Sequence, residues 1–259
     1  MSDAWVRAIV ALPFGLVVGS FLTVVVDRVP KKESIVSPRS RCPRCGAEIR
    51  ARDNIPALSW LLLRGRCRNC RTRIPARYPL LEAGTGAAFA GVAIVYPRVY
   101  VIAMLCAFCS VMLAVGAIDL EHKIIPNRIT YPAAPAFAAL IAVGWAIGQD
   151  LDPVRASIGA LAYGGTFLVI AFIAPRGLGM GDVKLTALIG LVMGSLGLRY
   201  VGVAAGAAIL LGGLGGILAL MAGRGRKSAI PFGPFLTAGA LVATFWGDRI
   251  ADWYLRSLS

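Results

Sequence analysis

The amino-acid sequence predicts an all-α polytopic membrane protein of about eight transmembrane helices, interrupted once by a small polar insertion. Three observations lead there. Of 259 residues, 58% are hydrophobic and 15% charged, whereas a soluble domain has about 25% charged residues. With a mean hydropathy of +0.73, the chain has more apolar surface than one water-soluble core can bury, so lipid has to be part of the solvent. Finally, apolar stretches recur at membrane length, and basic residues gather on alternate connections between them.

The first stretch covers residues 8–26. Its apolar run exceeds the 7–15 residues of a signal peptide, and no small-residue cleavage site precedes Asp27 and Arg28. It is expected to be an uncleaved span with its N-terminus outside. Further stretches follow at 80–95, 99–120, 129–147, 154–174, 183–198, 200–222 and 230–246. A crossing helix needs roughly 20 residues, so 183–198 is short. A backbone in lipid must satisfy its own hydrogen bonds, which makes these segments helices. The division expected is a first span (1–27), a cytoplasmic insertion (28–78) and a membrane-embedded part with about seven spans (79–259). No tandem repeat is evident. Among the 30 glycines, Gly190 with Gly194 and Gly202 with Gly206 stand in small-xxx-small register, and Gly212, Gly213, Gly215 and Gly216 crowd together. Such residues let membrane helices approach closely.

The net charge of +14 does not imply a nucleic-acid partner, because 14 of the 27 Lys and Arg lie between Arg28 and Arg77. Basic loops beside spans mark the cytoplasmic side and are drawn to anionic membrane lipid. Eight spans with the N-terminus outside put 21 basic residues on cytoplasmic connections and 6 outside. The reverse orientation would invert that bias. The expected location is the bacterial cytoplasmic (inner) membrane.

Within the insertion, Cys42-Pro43-Arg44-Cys45 is followed after 21 residues by Cys67-Arg68-Asn69-Cys70. Two such pairs are a signature of a structural zinc site: each knuckle offers two thiolates, and two knuckles close a tetrahedron with no open position. In a reducing compartment the thiols remain available to metal. Redox-active thiols and unligated cysteines are the other readings. The remaining cysteines, Cys106 and Cys109, share a helical face inside a span, where cysteine behaves as a small hydrophobe; a redox or metal pair is the alternative.

Acidic residues number 13, and two of them sit at span edges. Asp119 ends the stretch 99–120, and Asp182 opens the stretch 183–198 within Gly179-Met180-Gly181-Asp182-Val183-Lys184. An ionisable residue at membrane depth is a functional candidate by default, although an interfacial carboxylate often just caps a helix or meets a lysine. Two carboxylates brought close share one proton and so supply an acid and a base from identical side chains. Gly179 and Gly181 leave room for a substrate backbone beside Asp182, and Lys184 either tunes a carboxylate or anchors the helix. Glu82 suits the first turn of its helix. His122 is three residues beyond Asp119 and within reach of facing it.

The ordered set of motifs resembles the type IV prepilin peptidases over nearly the whole chain. It comprises Gly19-Ser20-Phe21-Leu22, Arg28-Val29-Pro30, Cys42-Pro43-Arg44-Cys45-Gly46, Asn54-Ile55-Pro56 and Arg77-Tyr78-Pro79-Leu80-Leu81-Glu82. It continues with Ile118-Asp119, Ile125-Pro126-Asn127, Gly179-Met180-Gly181-Asp182 and Ile230-Pro231-Phe232-Gly233-Pro234. The resemblance implies a membrane aspartyl endopeptidase that removes short basic leaders from prepilin or pseudopilin precursors, usually after a glycine, with Asp119 and Asp182 catalytic. Many members also methylate the new N-terminal amine from S-adenosylmethionine. Thr23 stands where the family commonly has asparagine, and Asn127 where it often has an acid. Archaeal preflagellin peptidases share the paired aspartates but typically lack the cysteine insertion. Two further readings are a zinc-knuckle scaffold that binds precursors without cutting them and a transporter using buried carboxylates. A transporter would place its acids nearer the midplane.

Overall fold

The computed structural model describes residues 2–174, 178–222 and 231–257. The expected cytoplasmic residues Arg176, Arg224, Arg226 and Lys227, and Ile230 of the last stretch, lie outside them. The described residues form helices α1 (Ser2–Arg28), α2 (Leu58–Leu62), α3 (Arg77–Val95), α4 (Val99–His122), α5 (Asn127–Ala146), α6 (Pro153–Ile173), α7 (Met180–Leu196), α8 (Leu198–Met221) and α9 (Gly233–Ser257), with a 3-10 turn at Ala51–Asp53. The eight long helices coincide with the eight apolar stretches. Six of them are long and apolar enough to cross a membrane: α1, α3, α4, α5, α6 and α8. The other two differ for visible reasons. Helix α7 has 17 residues, about 25 Å at 1.5 Å per residue, against a hydrocarbon core of about 30 Å. Helix α9 runs past the expected end at 246 and carries Asp248, Arg249, Asp252 and Arg256 there.

The chain divides into two compact units, Met1–Ile102 and Ala103–Ser259. In the first, α1 and α3 pack closely because glycines remove the side chains between them. A Cβ on Gly19 would come within 2.7 Å of Glu82 Cα, and one on Gly15 within 2.8 Å of Gly86 Cα. One end of the pair is fixed by Asp27, which accepts from Arg77 Nη2 at 2.7 Å and from Tyr78 Oη at 2.7 Å. At the other end Arg7 Nε donates to the carbonyl of Ala93 at 3.2 Å.

The second unit is built around α4, where Leu105, Phe108, Cys109, Met112, Val115 and Ile118 are buried completely. Cys106 and Cys109 take their place in this apolar core. Helices α6 and α7 meet along Gly159, Gly190 and Gly194, whose missing side chains leave room for the facing backbone. Gly202 and Gly206, in the same sequence register, face open space among the described residues: spacing identifies a small-residue face but not whether a helix occupies it. Gly212 and Gly215 accommodate the rings of Phe232 and Phe235, while Gly213 and Gly216 have no neighbour among the described residues within 4 Å of where a Cβ would stand. Gly197 alone links α7 to α8 with φ +149°, a conformation for which a side chain is unsuited. Arg199, just beyond it, pairs with Asp248 at 2.5 Å and Asp252 at 3.4 Å on α9. Outward faces are apolar, with Leu161, Phe172, Ile173, Leu210 and Met221 all at least 74% exposed, as a lipid environment requires.

Candidate active site and metal centre

The cysteines of the insertion converge. The four Sγ atoms of Cys42, Cys45, Cys67 and Cys70 lie within 4.8 Å of one another, and Cys42 Sγ is 3.7 Å from Cys70 Sγ. A tetrahedral ion with metal–sulfur bonds of about 2.3 Å separates its sulfurs by about 3.8 Å, so the donor set fits a metal ion such as zinc. Each pair sits in a turn of the same construction. In the first, Cys42 N–H bonds Ala47 O and Gly46 N–H bonds Cys42 O; in the second, Cys67 N–H bonds Thr72 O and Arg71 N–H bonds Cys67 O. The isolated bridges Arg41 to Glu48 and Arg66 to Arg73 close both turns. The knuckles are thus backbone copies of one another. Apart from the cysteines few residues match, so the sequence showed no repeat. Backbone hydrogen bonds at Cys45 and Arg44 pull the Cys42 thiol down to about 6. At Cys70 the backbone bond of Thr72 acts in the same sense. Burial and the neighbouring thiols of Cys45, Cys42 and Cys67 outweigh it and push the group up to about 11.

Other side chains hold the insertion together. Arg68 of the second knuckle grips Asp53 at 2.6–2.9 Å, and its hydrogen bonds keep that carboxyl below the usual range. Trp60 Nε1 donates to Ile74 O at 3.1 Å. Glu82, expected at the start of its helix, accepts from the Ala57 backbone N–H at 2.6 Å. It therefore ties the insertion to α3.

In the second unit, three motif blocks separated in sequence meet at one end of the helices. Asp119, near the C-terminus of α4, is 5% exposed, and it is the one buried acidic or basic side chain among the described residues. Asp182 lies in the first turn of α7, where Oδ2 accepts from the Gly179 N–H at 3.1 Å. That is the capping arrangement of an acid at the third helical position. The two carboxylates come within electrostatic reach of each other. Gly233, in the first turn of α9, faces Asp119, and a Cβ there would come within 2.5 Å of Asp119 Oδ2.

The surrounding residues are placed as follows. Gly179 is exposed, whereas Gly181 lies against Ile125, with space for a Cβ only 3.0 Å from the Ile125 Cβ. Lys184 Nζ donates to Asn127 Oδ1 at 3.1 Å and stands 4.6 Å above the Tyr131 ring. It thereby joins α7 to α5, and Asn127 serves as the acceptor. His122 lies beside Glu121 at 3.9 Å. Thr23 Oγ1 bonds Ser20 O within its own helix at 2.7 Å. Sequence reasoning gave Gly233 no role. Its signal was a glycine between Phe232 and Pro234 at a helix start, where a capping side chain is usual.

Residues 13–96 match the family model described as bacterial peptidase A24 N-terminal domain, and residues 106–220 match the type IV leader peptidase family. The prepilin leader peptidase/N-methyltransferase of Bacillus subtilis (strain 168) is 35% identical over 245 residues, covering 94% of this chain and 96% of the relative. The chain belongs to the type IV leader peptidase family. A relative of the same name from Burkholderia pseudomallei (strain 1026b) is 36% identical over 272 residues, covering 92% of this chain and 84% of its own. The type 4 prepilin-like proteins leader peptide-processing enzyme of Escherichia coli O78:H11 (strain H10407 / ETEC) is 35% identical over 254 residues, with 89% and 91% covered. No solved structure matches the chain. Within this leader peptidase family member, the four-cysteine cluster falls in the first matched region and both aspartates in the second.

Proposed function

We propose that this member of the family is a membrane aspartyl endopeptidase that removes the leader from prepilin or pseudopilin precursors, with Asp119 and Asp182 as its catalytic pair. The observation that carries this is the buried Asp119 held within electrostatic reach of Asp182 by three separate motif blocks. Such a pair works with one proton between two carboxylates. The ionised member takes a proton from the attacking water, and the protonated member donates to the scissile carbonyl oxygen. As the tetrahedral intermediate collapses, the first gives its proton to the leaving amine while the second regains one from a hydroxyl of the intermediate, which restores the starting pair. The exposed Gly179 leaves the approach to Asp182 open to a substrate backbone. Gly181 and Lys184 support the same surface by seating α7 on Ile125, Asn127 and Tyr131.

The proposed division of labour places a first span in 1–27, a zinc module in 28–78 and the peptidase in 79–259. The excess of basic residues on alternate connections supports a topology with the insertion and both aspartates on the cytoplasmic side of the inner membrane. Zinc held by Cys42, Cys45, Cys67 and Cys70 would be structural, since four thiolates fill its coordination. Methylation of the new amine from S-adenosylmethionine is the second proposed activity, after the relatives' names. A cleft of about 360 Å³ in the first unit, lined by Arg28, Ile35, Val36, Ser40, Ile49 and Asn54, has the size of a small-ligand site. The scaffold and transporter readings are not favoured beside membership of a peptidase family. Purified, zinc-loaded protein mixed with a precursor should release its leader; an intact precursor after prolonged incubation would overturn the peptidase reading.

A further inference from the structure

The short helix α2 has its apolar face turned the wrong way for a polar insertion in water. Within α2, Leu58, Leu61 and Leu62 follow the i, i+3, i+4 spacing of one helical face, yet they are 48%, 62% and 72% exposed, and Ile55, in the turn before the helix, is 47% exposed. The opposite side is the one packed into the insertion. Ser59 is buried and bonds the Ile55 N–H at 3.0 Å, and Trp60 reaches Ile74 with Gly65 beneath its ring. A soluble module would bury the leucines instead.

The depth of this face follows from its tether. Asp27, Arg77 and Tyr78 form the polar end of the α1–α3 pair. Glu82 lies five residues beyond Arg77, about 7.5 Å further along the helix axis, with its side chain leaning back toward the polar end. Because Ala57 is bonded to Glu82 at 2.6 Å, the chain entering α2 is held past that polar end, alongside the span. Arg50, Arg52, Arg64 and Arg66 flank the segment and are all exposed.

We propose that α2 is an interfacial anchor that seats the insertion on the anionic surface of the bilayer crossed by α1 and α3. Ile55, Leu58, Leu61 and Leu62 enter the acyl boundary, and the four arginines meet lipid phosphates. Interfacial helices bury their apolar face about 5–10 Å deep, which matches the reach of the Glu82 tether. Basic residues at that level gain from anionic lipid. The anchor depends on the membrane reading of α1 and α3, and not on the catalytic assignment.

The test uses the full-length, zinc-loaded protein in nanodiscs containing anionic lipid, carrying a spin label at Leu61→Cys, Leu62→Cys or, as the water-facing control, Glu33→Cys. Signal from the unsubstituted protein is subtracted. Collision with oxygen, which partitions into lipid, should exceed collision with a water-soluble nickel chelate at 61 and 62, and the order should reverse at 33. A second measurement, amide exchange across 55–65, should quicken in Leu61→Ser/Leu62→Ser with zinc content unchanged. Nickel-dominated relaxation at both leucines would overturn the anchor. So would labels shielded from both reagents, which would mark a protein-docking face, or exchange unchanged in the double variant.

Discussion

Replacing Gly233 by alanine adds a single methyl group, and its surroundings determine the outcome. The new Cβ would stand 2.5 Å from Asp119 Oδ2, 2.9 Å from Cγ and 3.1 Å from Cβ. Carbon contacts become comfortable from about 3.5 Å, so either the carboxylate or the start of α9 has to move by about 1 Å. A displacement of that size in a catalytic group costs on the order of a hundredfold in rate, or about 2.7 kcal/mol of barrier. Stability should respond less. Overpacking costs about 1–3 kcal/mol, while alanine in place of glycine returns up to about 1 kcal/mol in a helix. Gly216→Ala is the matched control, since no described residue lies within 4 Å of its Cβ. Initial rates of leader removal, read by mobility shift, should fall about a hundredfold in Gly233→Ala and remain near normal in Gly216→Ala. The thermal midpoint should change little in both. A Gly233→Ala enzyme that cleaves at the parental rate would refute the placement of α9 against Asp119.

Further outcomes are expected. Cys42→Ser with Cys45→Ser should lower the zinc content from about one per chain, whereas Cys106→Ser with Cys109→Ser should leave it unchanged; metal analysis reads both. Zinc affinity should rise with pH. Between 7 and 10 Cys42 is already thiolate while Cys70 must still release its proton, so affinity gains at least about tenfold per pH unit, and the slope steepens below 6; a flat profile would contradict this. Gly190→Ala should destabilise the α6–α7 seam by about 1–3 kcal/mol in detergent unfolding, whereas Gly202→Ala, facing open space, should not. Mature pilin made with this enzyme should carry an N-methylated first residue by mass spectrometry, and a free amine throughout would remove the second activity alone.

Much of this was legible in the sequence because lipid and metal impose simple rules. Apolar length placed the eight long helices, and cysteine spacing placed the four-cysteine cluster that could hold a metal, since both depend on residues near one another in the chain. What depends on distant packing was not legible. The separation of 63 positions between Asp119 and Asp182 gave no sign that α4 and α7 would bring them together. Gly190 and Gly202 look alike in sequence, and only the presence of α6 beside one of them separates their roles. Glu82 looked like a favourable charge in a helical first turn, yet its bond is to Ala57, 25 residues earlier. Lys184, read as tuning a carboxylate or anchoring its helix, has a partner in Asn127 that lies 57 residues away.

The central claim is that Asp119 and Asp182 act as one catalytic pair, and the direct measurement is leader removal by Asp119→Asn and Asp182→Asn. Asparagine keeps the size of the side chain but cannot take a proton from water. Asp182→Asn also keeps an acceptor for the Gly179 N–H, so the start of α7 should hold. Both proteins should insert in the membrane and retain full zinc. Neither should produce a mature product above background, whereas Glu121→Gln, exposed two residues further along α4 on another face of the helix, should cleave normally. Substantial cleavage by either asparagine variant, in a protein shown to be inserted and zinc-loaded, would contradict the two-aspartate mechanism.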